Sequence, residues 1–222
     1  MRKRNELMKG LVKVLPFYLF TLLLLLTSCK QEDETVEEFP NWASQNDTYF
    51  AQLVAETQAK IAAGDTSWEL IASYSKPTTN YTYRTTDYIV VKKVESSALT
   101  KSPLLTDTAE VHYVGRLKES ANTYKNFGME FDRSYAGAYN SQTGTYEFDP
   151  VTATPAKFAV SGVVNGFSTA LLHMHRGDHW LVYIPYQLGY GTTTRGSIPA
   201  GSTLIFDMRL AGFWSKERGD RD

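Results

Sequence analysis

The chain has 222 residues, with 23 basic and 24 acidic side chains, four histidines and one cysteine, for a near-neutral net charge of −1. That length suits one well-buried domain with an accessory segment, and the lack of a basic stripe argues against a nucleic-acid partner because nothing is arranged to neutralise phosphates. A single cysteine excludes an internal disulfide and any zinc site built on several thiolates.

Arg2, Lys3, Arg4, Lys9 and Lys13 crowd the start of the chain, and an apolar run from Leu11 to Leu26, interrupted by Lys13 and Pro16, follows them. A cationic start and a short apolar run describe a secretory signal, because a membrane span needs about 20 apolar residues. The run ends in Leu26-Thr27-Ser28-Cys29, which resembles the bacterial lipobox, where the cysteine is lipidated and becomes the first mature residue. The alternative is an uncleaved anchor with an incidental cysteine. The lipobox reading makes 1–28 a signal peptide and Cys29 the lipidation site. It places the protein in a cell envelope, held by acyl chains, on the periplasmic or surface-exposed face of an outer membrane. Loss of 1–28 leaves 18 basic against 23 acidic residues, a net of −5.

Residues 29–40 include Lys30-Gln31-Glu32-Asp33-Glu34, polar and without apolar periodicity, and read as a flexible acidic tether. An accessory segment follows over 41–100. Phe50, Leu53, Val54, Thr57 and Ile61 recur at helical spacing, predicting an amphipathic helix of about four turns with Asn46 or Asp47 as N-cap and Gly64 as stop. Trp68–Tyr74 and Asp87–Val94 read as strands, separated by a polar loop over 75–86. The helix is expected to dock on the main domain, since a helix of this length is marginal alone.

Beyond residue 100 the pattern is mostly strand. Ala109, Val111, Tyr113, Gly115 and Leu117 alternate with Glu110, His112, Val114 and Arg116, predicting one apolar and one mixed face. Trp180, Val182 and Ile184 repeat the pattern, as do Leu204, Phe206, Met208 and Leu210. Phe167, Ala170, Leu171 and Met174 give the one short helical signal. The fold class expected is α+β, an antiparallel sheet wrapped around one short helix, with an N-terminal helix-plus-strand segment.

Motifs for conventional catalysis are missing: there is no phosphate loop, no nucleophile elbow and no HExxH, and no cofactor is implied. His173, His175 and His179 are badly spaced for a metal and read as solvated histidines at a helix end. Arg176-Gly177-Asp178 spells an adhesion tripeptide but also an ordinary turn.

Several segments together resemble the FKBP-type peptidyl-prolyl isomerases. They are Val111–Leu117, Glu130-Phe131-Asp132-Arg133-Ser134, Pro155–Val160, Gly162-Val163-Val164-Asn165-Gly166-Phe167, Gly177–Trp180, Ile184–Gly191 and Ser197–Asp207, in family order over about 101–214. The Ser-Gly-Val-Val turn is most similar to the macrophage-infectivity-potentiator branch of bacterial envelopes. The resemblance implies a 101–215 isomerase domain followed by a polar tail, 216–222. It makes Tyr113, Phe131 and Phe206 the walls of a proline pocket and Phe167 its floor. Val163 and Val164 line the rim, with the Val164 N–H as a donor. Tyr190 offers a hydroxyl, Asp132 sits beside the twisting amide, and Ile198 covers one edge. The implied partners are proline-containing polypeptides of the envelope and macrolide immunosuppressant-type ligands, and the short N-terminal helix favours a monomer.

Three departures from the family pattern stand out. Phe167 replaces the usual Trp floor, Ala156 stands where many members carry a second pocket aromatic, and an insertion from Tyr135 to about Thr152 is expected near the pocket rim as a flap or partner-binding loop. The first two keep open a non-catalytic FKBP-fold binding lipoprotein. The many aromatics (14 Tyr, 11 Phe, 4 Trp) leave a glycan-binding surface as a third reading.

Overall fold

The computed structural model describes residues 37–215. The predicted signal peptide, Cys29 and most of the tether lie outside the described residues.

The first element is α1 (Trp42–Ala62), and it starts a turn earlier than the apolar stripe indicates. Asn41 adopts a left-handed conformation (φ 48°) directly behind Pro40, and the chain turns helical there without a side-chain cap. Asn46, predicted as a cap, is instead fully buried inside the helix. Its Nδ2 donates to the Trp42 carbonyl at 2.8 Å, and its Oδ1 accepts from the Thr203 amide at 2.9 Å. The helix stops as foreseen at Gly64, which takes φ 88° and returns its N–H to the Ile61 carbonyl. Ile61, read as part of the buried stripe, is 42% exposed.

Six strands form one continuous antiparallel path: β1 (Trp68–Ala72), β2 (Tyr88–Glu95), β8 (His179–Ile184), β9 (Leu204–Trp214), β3 (Thr108–Arg116) and β4 (Glu130–Arg133), in that order. β7 (Ala156–Ala159) pairs with the first half of β3, while β4 pairs with its second half, so two short strands share one edge. A small hairpin, β5 (Tyr139–Asn140) with β6 (Thr145–Tyr146), lies in the segment between them. The accessory strands are thus part of the main sheet, because β2 bonds directly to β8.

Alternation along the strands sends side chains to two faces. On one face, Ile89, Val91, Val111, Tyr113, Trp180, Val182, Phe206 and Met208 pack around the seven-residue helix α2 (Asn165–Leu171). Met174, counted with that helix by spacing, lies past its end but is fully buried in the same core. The backbone of α2 lies directly against the Ile184 side chain of β8 because position 166 is Gly: a Cβ there would sit 2.3 Å from Ile184 Cγ2.

The other face is covered twice. Phe50, Leu53 and Val54 of α1 pack on Val90, beside Trp68, Leu70 and Tyr183. Farther along, Tyr135 and Tyr146 cover Val114, with Tyr139, Phe148 and Ala153 against them. The expected mixed face of β3 is therefore buried, and His112, Val114 and Arg116 are all shielded. The 135–152 insertion provides that shield. It is built onto the outer face of the sheet rather than hung over the pocket.

The histidine reading also needs correction. His173 is exposed, but His179 is 1% exposed, and its Nε2 faces Asp207 Oδ1 at 2.6 Å. Strand β8 turns that side chain onto the outer face, where Asp207 also accepts the Tyr146 amide at 2.7 Å.

Candidate active site

A cavity of about 750 Å³ opens between α2 and the β3–β4–β7 end of the sheet. All nine residues singled out from the sequence line it. Tyr113 comes from β3, Phe131 and Asp132 from β4, and Phe206 from β9. Val163 and Val164 lie in the turn entering α2, Phe167 lies within α2, and Tyr190 and Ile198 belong to the connection between β8 and β9.

The aromatic rings meet edge to face, the arrangement their quadrupoles favour. Phe167 is the hub, 5.0 Å from Phe206, 5.6 Å from Phe158 and 6.2 Å from Tyr113 between ring centroids. Phe131 closes on Phe206 at 5.6 Å. Phe167, Phe206 and Tyr113 are buried, whereas Phe131 is half-exposed, giving a closed base and an open mouth. Strand β3 carries Gly115 beneath two of these rings, and a Cβ there would come within 2.6 Å of Phe131 and 2.8 Å of Phe206.

Polar groups are few. The Tyr113 hydroxyl donates to Asp132 Oδ2 at 2.6 Å, and Asp132 Oδ1 accepts the Arg133 amide at 2.9 Å. Burial, then the hydrogen bond to Asp132, pushes the Tyr113 phenol well above its ordinary value, so it stays protonated. The Tyr190 hydroxyl and the Val164 N–H have no hydrogen-bond partner among the described residues, which leaves two donors at the cavity.

The family model for FKBP-type peptidyl-prolyl cis-trans isomerase matches residues 100–211, half of the chain. The chain belongs to this family. It is 32% identical over 123 residues to a macrophage infectivity potentiator of Trypanosoma cruzi, an alignment covering 55% of this chain and 51% of that protein. It is 32% identical over 124 residues to FK506-binding protein 2 of Aspergillus oryzae, covering 55% of this chain and 76% of the relative. The crystal structure of FkpA from Escherichia coli shares the fold, with a TM-score of 0.51 and 24% identity over 78% of this chain and 61% of that one. The chain thus spans about half the length of the Trypanosoma protein.

Within this FKBP-type domain Ala156 is not among the residues lining the cavity, whereas Phe158, two residues on and hence on the same face of β7, lines it and packs on Tyr113 at 5.5 Å. Sequence reasoning missed Phe158, although strand alternation in Ala156-Lys157-Phe158 carried the signal. It also missed Gly162, Arg195, Gly196 and Ser197, which line the cavity too. Arg195 and Gly196 sit in a loop without periodicity, so nothing in the pattern marks them, while Ser197 opens a segment read only for its family likeness. No residue of the 135–152 insertion lines the cavity.

Among the described residues no group of three or more metal-ligating side chains is gathered, and no helix is long and apolar enough to cross a membrane.

Proposed function

We propose that the chain is a peptidyl-prolyl cis–trans isomerase of a cell envelope, held there by a lipid on Cys29 and acting on proline-containing segments of envelope or surface proteins. The observation that carries this reading is the aromatic cup closed at its base by Phe167, with unengaged donors at its mouth. Rotation about an X–Pro bond is opposed by amide resonance, with a barrier of about 18–20 kcal/mol. Water solvates the planar, conjugated amide better than the twisted one. A cup that removes water while holding the flanking carbonyls therefore favours the twisted transition state, with no nucleophile and no proton transfer.

The residues divide the work accordingly. Phe131, Tyr113 and Phe206 would enclose the pyrrolidine ring, Phe167 would support it, and Val163 and Ile198 would seal its edges. The Val164 N–H and Tyr190 hydroxyl would hold substrate carbonyls. Asp132, fixed by Tyr113, would face the amide as it twists. The same cup suits a macrolide of the kind named in the FK506-binding relatives. The envelope address rests on the cationic and apolar start leading to Cys29.

The deciding experiment is a protease-coupled isomerase assay on X–Pro peptides with the purified full chain. Acceleration that a macrolide suppresses is expected. A chain that binds proline peptides without accelerating them would be a binding lipoprotein instead. Mass spectrometry of the native protein should find a diacylated N-terminal Cys29, and an uncleaved chain with a free thiol would refute the anchor.

A further inference from the structure

Among the described residues, two charged side chains line the cavity, Asp132 and Arg195. They differ in how they are engaged. Asp132 is occupied on both oxygens, by the Tyr113 hydroxyl and the Arg133 amide. Arg195 has neither an ion-pair nor a side-chain hydrogen-bond partner among the described residues. Its backbone is nevertheless fixed: the Arg195 N–H donates to the Ile198 carbonyl and the Ile198 N–H returns a bond to the Arg195 carbonyl, both at 2.9 Å. Gly196, at φ 56°, makes the tight turn between them. Ile198 is itself buried, so the anchor of this turn belongs to the packed core. The backbone of an exposed cation is thus fixed at the cavity wall, while its side-chain donors stay unspent.

We infer that Arg195 selects X–Pro segments carrying an acidic side chain within two residues of the proline. The inference rests on the isomerase reading of the cavity and adds the substrate class. Each residue advances an extended chain by about 3.3–3.6 Å, so a carboxylate one or two positions from a proline seated on Phe167 falls within the sweep of an arginine at the rim. A guanidinium presents a planar fork of donors that matches a carboxylate. Arg195 is exposed, so the gain is that of a screened ion pair. A basic side chain in the same place would meet Arg195 unfavourably. Asp132 keeps its negative charge, but it is engaged by the Tyr113 hydroxyl and the Arg133 amide and makes no ion pair with Arg195, so the guanidinium is left for a substrate carboxylate.

The test is a glutamate scan. Peptides with Glu, Gln, Leu or Lys at each position within two residues of a single proline are compared for kcat/KM with the full chain at low and high salt. Peptide affinity is read in parallel by NMR titration. A preference for Glu over Gln of about two- to tenfold is expected at one or more positions, shrinking with salt. Arg195→Gln should abolish that ratio, Arg195→Lys should restore part of it, and Arg195→Glu should turn it towards Lys peptides. Acceleration or binding of all peptides without regard to charge, or a preference that survives Arg195→Gln, would overturn this inference and leave the isomerase reading standing. Absence of both acceleration and binding with every peptide would overturn the two together.

Discussion

The Trp42 indole N–H donates a 2.7 Å hydrogen bond to Ser202 Oγ, joining the first turn of α1 to the turn before β9 across 160 residues. Ser202 passes its own hydrogen to the Pro199 carbonyl at 2.6 Å, and Asn46 accepts the Thr203 amide beside it. Residues 199–203 follow directly on the Ile198 wall of the cavity. A helix outside the stretch matched to the family therefore holds one rim of the site.

Trp42→Phe keeps an aromatic ring but loses this bond and part of the buried volume, and is expected to cost about 1–3 kcal/mol. Trp42→Ala also empties a buried site and should cost about 3–5 kcal/mol. Urea unfolding of the two variants checks the ordering. An unchanged midpoint in Trp42→Phe would mean that the indole N–H contributes nothing.

Gly115→Ala places a methyl where the Phe131 and Phe206 rings now lie. Overpacking of this kind costs about 1–3 kcal/mol. Here the strain falls on two cavity walls, so isomerase activity should drop about tenfold or more, beyond what the stability loss explains. Parallel thermal melts and kinetics separate the two effects. Full activity in a destabilised variant would show that the walls do not need their present spacing.

The strands and the cup were legible because both rest on short-range rules. Alternation in Val111, Tyr113 and Gly115 places three residues on the helix-facing side of β3, and the family motifs fix the order of the cavity residues. What was not legible depends on partners distant in sequence. Asn46 has the composition of a cap, but its place is set by the Thr203 amide. His179 gives no sign of burial until Asp207 and Tyr146 arrive from two other segments. The Tyr- and Thr-rich insertion resembles a loop, and only the outer face of β3 shows what its tyrosines cover.

That cover has a consequence for pH. Burial, then the nearby Arg209, holds the His112 imidazole below its ordinary 6.5, and the Tyr135 and Phe148 rings pack against it. Protonation is thus harder in the folded chain than in the unfolded one. Below about pH 6.5 the unfolded state binds more protons and stability falls, whereas above it both states are neutral and this contribution is flat. His112→Phe should flatten the fall in urea midpoint between about pH 6.5 and 5 relative to the parent chain. An unchanged slope would assign it to another group.

Glu38 acts in the opposite window. The Ser120 hydroxyl, with the Thr123 and Tyr124 amides, lowers its pKa from 4.5 to about 2. A depressed carboxylate contributes stability that is fully present above 4.5 and lost as pH falls towards 2. Glu38→Gln should therefore lower stability at neutral pH and make the acid limb less steep. Equal acid sensitivity in parent and variant would show that the 120–124 loop does not depend on this charge.

The aromatic cup makes the sharpest demand on the chemistry. If exclusion of water drives rotation, shape should matter more than any titrating group. Phe131 is half-exposed at the mouth and touches Phe206 edge to face, so Phe131→Ala opens the cup without emptying the core. A loss of about 100-fold in kcat/KM is expected, against about tenfold or less for Asp132→Asn, which keeps an acceptor for the Tyr113 hydroxyl. Phe167→Trp should keep or raise activity, because the larger ring extends into a cavity of about 750 Å³ and offers more apolar surface to the substrate proline. Phe158, 5.6 Å from Phe167, is the side chain that could refuse the indole, and a Phe158→Ala background would then accept it. The rate should also be flat between about pH 6 and 8, since no imidazole lines the cavity and Tyr113 stays protonated throughout. A rate that follows Asp132 more closely than Phe131, or a bell-shaped profile in that range, would replace desolvation with proton transfer as the source of catalysis.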